Sequence, residues 1–298
     1  MMPLAPIALF VYNRPIHTYK TLQFLKQNTL APHSMIFIFS DGPKNQADLA
    51  PINQIRDLIK DTSGFKSVTI IERDSNFGLA NSIIDGVAML TTTYDKVIVF
   101  EDDLISSPYT LQYFNDALSR YQSEEKVMHI GAYMYPINTQ NLPETFFHRM
   151  ATSWGWATWA RAWKHFEPNI DQLISQFDQH KIYQFSIESK MNFWKQTQDF
   201  KKGKNNSWAI RWYASIFLNG GLTLNPAQSL IRNIGHDGTG IHSGTSTIYD
   251  VSISPKKVTS FPDHIQENQQ AYQAIKYFFE HRKGTLAQRI IRLLKSKF

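Results

Sequence analysis

The chain has 298 residues, 42% of them hydrophobic and 19% charged, the composition of a globular protein with apolar material for a sizeable core. It contains no cysteine, which excludes disulfides, thiolate metal sites and a cysteine nucleophile. No stretch approaches the roughly 18 apolar residues of a membrane span, and the net charge of +6 comes without any nucleic-acid recognition motif.

In chain order, the first half alternates between two periodicities. Ile7–Tyr12 predicts a strand, Thr18–Asn28 a helix, Met35–Ser40 a strand and Ile52–Lys60 a helix. Ser67–Glu72, Leu79–Leu90 and Asp95–Glu101 continue as strand, helix and strand. A helix over 109–121 is entered through Ser107-Pro108, and Val127–Ala132 predicts a further strand. Strands separated by helices of about ten residues indicate βαβ units, hence an α/β fold built on a mostly parallel central sheet flanked by helices.

The stretch Lys96 to Leu104 is the most informative. An apolar run, Val97 to Phe100, suits a central strand buried on both faces, and it ends in Glu101, Asp102 and Asp103. Ligands of open α/β sheets collect at the carboxyl ends of such strands. Three adjacent acids repel one another unless a cation sits among them, and Mn²⁺ or Mg²⁺ carrying a diphosphate is an economical one. Asp-Asp pairs also sit on solvated turns.

Each preceding strand likewise ends in polar residues: Tyr12-Asn13-Arg14, Ser40-Asp41-Gly42, and Arg73 to Leu79. Arg14 and Arg73 can hold phosphates through paired donors, Asp41 can accept from a base N–H, and the amides of Gly78 and Leu79 can face an anion. Singly, each is an ordinary turn residue; together they converge on one sheet edge.

After Tyr133 the pattern loosens. Residues 154–163 hold four tryptophans in ten, with Trp154-Gly155-Trp156 placed before a helix. Trp154 and Trp156 are either the floor of a sugar site or core, and Gly155 permits close backbone approach. The stretch from Ser207 to Phe217 predicts a helix capped by Asn206 or Ser207. Residues 234–244 carry four glycines in eleven, with His236, Asp237 and His242 among them. They read either as a lid closing over a charged ligand or as a surface loop. Residues 285–298 form a basic amphipathic segment, read as membrane-surface contact or as a terminal helix packed on the body.

These residues together resemble GT-A-type nucleotide-sugar glycosyltransferases, specifically bacterial family-two-like proteins related to the enzyme that adds the first branching N-acetylglucosamine to animal N-glycans. The resemblance covers residues 6–244. It is carried by Val99-Phe-Glu-Asp-Asp-Leu104 with Ser107-Pro108, by Asn76-Phe-Gly-Leu-Ala80, and by the Gly-Trp stretch near 154–159. It implies that the acidic triplet is a DxD-like motif with Asp103 as the Mn²⁺ (or Mg²⁺) ligand. Asp102 would face ribose or metal waters, and Glu101 belongs to the same donor-binding turn. Asp41 and Arg14 would hold the nucleoside half, with Tyr12 and Asn76 beside them, and Arg73 would lie near phosphates or base. Trp154, Gly155 and Trp156 would meet the acceptor. Read from the residues alone, His236 and His242 are either further metal ligands or solvated histidines.

One departure stands out. Where the animal enzyme places its catalytic Asp before a helix, this chain has Asn205-Asn206-Ser207 without a carboxylate. Asp237 is the substitute base for an inverting transfer.

The implied activity is metal-dependent transfer of a sugar from a nucleoside diphosphate to a hydroxyl of a surface glycan or lipid-linked oligosaccharide. A non-catalytic sugar-nucleotide or glycan-binding protein is the alternative. A nucleotidyltransferase ranks last, because Tyr12–Pro15 is no glycine-rich basic loop. The implied organisation is a nucleotide-sugar-binding half (1–133), an acceptor-side half (134–262) and C-terminal helices (263–298). With no secretory pattern at the N-terminus, the expected location is the cytoplasm, including the cytoplasmic face of the inner membrane.

Overall fold

A computed structural model describes residues 3–238 and 247–282. The first half runs β1 (Ile7–Val11), α1 (Pro15–Lys26), β2 (Met35–Ser40), α2 (Leu49–Lys60), β3 (Ser67–Glu72), α3 (Leu79–Tyr94) and β4 (Lys96–Glu101). There follow β5 (Leu104–Ser106), α4 (Thr110–Arg120), β6 (Val127–Gly131), β7 (Thr145–His148), β8 (Trp156–Trp159) and α5 (Ala160–Trp163). Then come α6 (Ile170–Ser175), α7 (Gln179–Phe185), α8 (Phe193–Lys201), α9 (Trp208–Leu218), β9 (Leu222–Pro226), β10 (Ile231–Asn233) and α10 (Gln269–His281).

The expected α/β class holds. One eight-stranded sheet has the order β3-β2-β1-β4-β8-β6-β9-β7. Its first four strands are parallel, with Ile7 opposite both Ile36 and Ile98, so their carboxyl ends share an edge. β1 and the apolar part of β4 are wholly buried because helices cover both faces, which is why they read as unbroken apolar runs. The remainder of the sheet is mixed: β8 lies antiparallel between β4 and β6, and β9 pairs parallel with β6 and antiparallel with β7.

The tryptophan-rich stretch departs from expectation. Trp156-Ala-Thr-Trp159 is a central strand and not the approach to a long helix; only one helical turn, α5, follows it. Aromatic and β-branched residues favour strands where they pack on both faces, and here they do. Trp156 stacks on His129 and Trp208 at ring-centroid distances of 5.2 and 5.1 Å, while the Trp159 indole N–H donates to the Leu118 carbonyl on the other side. Helix α9 starts at the expected cap, with Ser207 Oγ accepting from the Ile210 amide at 3.2 Å.

After β4 the chain turns through Asp102 and Asp103 into β5, which pairs antiparallel with β10: Ser106 opposes Ile231 and Leu104 opposes Asn233. This short ladder carries the glycine-rich segment back to the acids. His242 and the basic segment 285–298 lie outside the described residues.

Candidate active site at the carboxyl edge of the sheet

The acid cluster is fixed first through its backbone. Thr21 Oγ1, on α1, donates to the Asp102 carbonyl at 2.7 Å, and the Ile234 amide donates to the Asp103 carbonyl at 2.8 Å. The turn is therefore gripped from both sides, and its side chains cannot swing away with the loop. Asp102 and Asp103 are both buried.

Arg14 supplies the charge compensation. Its Nη2 lies 2.5 Å from Asp102 Oδ1 and 2.9 Å from Asp103 Oδ2, bridging the two carboxylates. Burial alone would weaken the guanidinium's hold on its proton, but Asp102 and Asp103 outweigh it, so Arg14 stays charged. Burial pushes the Asp102 carboxyl up to about 6; Arg14 opposes the shift and Asp103 adds to it. Glu101 is raised well above the usual carboxylate range, first by burial and then by Asp103 and Asp102. Three crowded acids thus coexist through one bridging guanidinium and through the tighter hold that burial gives Glu101 on its proton.

The glycine-rich segment closes on the same point. A Cβ at Gly235 would fall 2.2 Å from Asp103 Oδ2 and 2.8 Å from Arg14 Nη1, so only glycine lets this backbone lie against the ion pair. Next along the chain, His236 meets the Trp154 ring edge-on at 5.2 Å. Asp237 Oδ2 pairs with His17 Nε2, on the first turn of α1, at 3.1 Å.

Among the described residues, two buried polar atoms here have no hydrogen-bond partner: Asp103 Oδ1 and His236 Nε2. Carboxylate oxygen and imidazole nitrogen are donors that Mn²⁺ accepts. Among the described residues no set of three His, Asp or Glu side chains gathers around one point. Any metal here would therefore take most of its ligands from substrate phosphate and water, as is usual for such ions.

The other strand-end residues form a separate network. Asp41 does not present a free carboxylate to a base. Its Oδ1 accepts from the amides of Gly42 (2.9 Å) and Phe77 (2.8 Å), and its Oδ2 from the Gly78 amide (2.9 Å) and Asn76 Nδ2 (3.2 Å). The anion that the Gly78 amide faces is thus Asp41 itself, at the start of α3; the Leu79 side chain is exposed. Arg73 pairs with Asp85 at 2.5 Å and stacks over Phe77 at 3.9 Å, directed at α3 and not at the acids. Tyr12 donates to Asp48 Oδ2 at 2.8 Å; burial and this bond push its phenol up to about 12. Asn13 donates to the other Asp48 oxygen at 2.8 Å.

Of the expected acceptor residues, Trp156 is completely buried in the core and offers no face to a ligand. Gly155, at φ +65°, is packed against Ile231: an added Cβ would lie 2.8 Å from its Cγ1. Trp154 alone is partly exposed, edge-on to both Tyr133 (4.5 Å) and His236. Thr21, Asp48 and His17 had no signal in the sequence, since an α1 threonine or histidine looks like any helix-surface residue. A separate cavity of about 440 Å³, lined by Ile105, Arg232 and residues 250–253, flanks the β5–β10 ladder and includes none of the acids.

Fold and cluster together define an α/β protein with a charged site at the carboxyl edge of its parallel strands. No family model matches the chain, and no curated protein matches it in sequence. Many solved chains resemble it in shape, among them the following two. One is a mannosyltransferase from Pyrobaculum calidifontis in complex with GDP-Man and Mn²⁺, at 10% identity over 73% of each chain and a TM-score of 0.41. The other is S. aureus TarS, at 15% identity over 49% of this chain and 24% of that one, with a TM-score of 0.31. Likenesses this shallow leave the function to the site.

Proposed function

We propose that the chain is a metal-dependent glycosyltransferase that takes a nucleoside diphosphate sugar as donor and a glycan or glycolipid hydroxyl as acceptor. One observation carries the reading. At the end of β4, Arg14 bridges Asp102 and Asp103, while Asp103 Oδ1 and His236 Nε2 are buried with no partner among the described residues. Asp103 and His236 would hold the ion, which when bound stabilises negative charge growing on the departing diphosphate. Arg14 would orient the diphosphate oxygens through its paired donors. Trp154, partly exposed beside His236, would contact the sugar. The acceptor hydroxyl must lose its proton to a base. Asp237 is the one carboxylate of residues 234–244, and His17 fixes one of its oxygens.

The test is Mn²⁺-dependent donor hydrolysis and transfer by wild type and Asp103→Ala. A loss of at least about a hundredfold is expected from removing a group that stabilises transition-state charge; unchanged turnover overturns the metal role. Two observations favour the non-catalytic alternative, a sugar-nucleotide-binding protein: residues 205–207 bring no carboxylate to the start of α9, and Asp237 already lies against His17. Calorimetric donor binding with no turnover against a panel of acceptors decides for that alternative.

A further inference from the structure

Arg14 occupies the place that a metal-centred reading assigns to the metal. Its guanidinium nitrogen touches one oxygen from each of two carboxylates, and Gly235 is packed against Asp103 and Arg14, so the chain itself supplies a counter-charge to the cluster. A divalent cation arriving at the free oxygen of Asp103 would stand across a single carboxylate from this guanidinium. Like charges that close, in a buried site, repel strongly. Either the metal is kept out or Arg14 leaves. A diphosphate offers the guanidinium a replacement, since its oxygens match paired guanidinium donors as well as a carboxylate does.

We propose that Arg14 is an exchangeable counter-ion: it holds the acid cluster closed to metal in the free protein, and moves to the donor's diphosphate as the metal takes Asp103. The inference rests on the metal reading above and adds to it a coupling between the two ligands. Metal and diphosphate each favour the state in which Arg14 has left Asp103, so each tightens the other. Arg14 lies at the entry to α1, ahead of its first turn, with Thr18 and Thr21 keeping the helix in place. Only the side chain has to move.

The signature is a pair of effects of opposite sign. In nucleotide-free protein, Arg14→Gln is expected to bind Mn²⁺ about tenfold tighter than wild type, measured by the electron paramagnetic resonance of free Mn²⁺. With EDTA present, the same variant is expected to bind GDP and UDP about tenfold more weakly, measured by calorimetry. A merely structural arginine would weaken both. Arg14→Met removes the same charge with a different shape and repeats the test should Arg14→Gln lose cooperative unfolding. Unchanged or weaker Mn²⁺ binding in a folded variant overturns the exchange, as does unchanged metal-free diphosphate binding. In both cases the metal reading survives if wild type binds Mn²⁺ alongside GDP or UDP. Failure of wild type to bind Mn²⁺ under any of these conditions removes the metal reading and the exchange together.

Discussion

Asp41→Asn separates a ligand-binding carboxylate from one that builds the scaffold. The side chain is buried and accepts four hydrogen bonds, two on each oxygen, three of them from backbone amides of Gly42, Phe77 and Gly78. The substituted amide keeps the shape but must turn its NH₂ toward two of those donors. The less damaging orientation puts it in place of Oδ2, where Asn76 can fall back on its 3.1 Å bond to the Gly42 carbonyl, leaving the Gly78 amide without an acceptor. One orphaned partner of a charged hydrogen bond costs about 1.5–3 kcal/mol, and the two bonds that remain weaken as their acceptor loses its charge. The expected loss is therefore about 2–4 kcal/mol. It is to be read from urea unfolding as a lower midpoint at unchanged slope. The companion measurement is GDP and UDP affinity, expected to change less than stability does. Stability within about 0.5 kcal/mol of wild type, together with a collapse of nucleotide affinity, would refute the scaffold role and return Asp41 to the ligand.

Gly155→Ala forces a left-handed backbone on a residue with a Cβ and drives that Cβ into Ile231. A loss of roughly 2–5 kcal/mol follows, about 1–2 from the conformation and about 1–3 from overpacking, and a loss below about 1 kcal/mol refutes the packing. Glu101, with its pKa raised in the folded state, contributes stability at low pH that disappears as pH rises through the folded pKa. Glu101→Gln should accordingly raise the melting temperature more at pH 8 than at pH 5, and an equal change at both counts against a retained proton. His129 runs the other way. Burial depresses its pKa to about 3 against the Thr152 carbonyl's pull upward, so its contribution is present above pH 6.5 and lost as pH falls toward 3. His148, depressed to about 4 by burial, acts in the same sense. His129→Gln should flatten the stability profile between pH 6 and 4 by about 1.4 kcal/mol per pH unit, and an unaltered slope refutes neutral burial.

The sequence determined the parallel half of the sheet. β2 and β3 have their expected bounds, and β1 and β4 fall within a residue of theirs; β1 and β4 do so because a strand buried on both faces must be apolar throughout and must end where polarity returns, whereas the edge strand β3 is marked by alternating exposure. It also placed Arg14, Asp102 and Asp103 on one edge, since the carboxyl ends of parallel strands adjoin whatever the intervening helices contain. Tertiary structure alone decided what those residues touch. Asp41, a ligand candidate on paper, accepts three hydrogen bonds from the entry to α3 and a fourth from Gly42, and Trp156 disappears into a strand whose pairing with β4 joins residues 57 positions apart (156 less 99). The ladder between β5 and β10 sets Gly235 on the Asp103–Arg14 pair and leaves one oxygen of Asp103 and one nitrogen of His236 without partners among the described residues. Local periodicity reports which face of an element is dry. Which charge neutralises which depends on contacts between segments far apart in the chain, and those exist only after the sheet has closed.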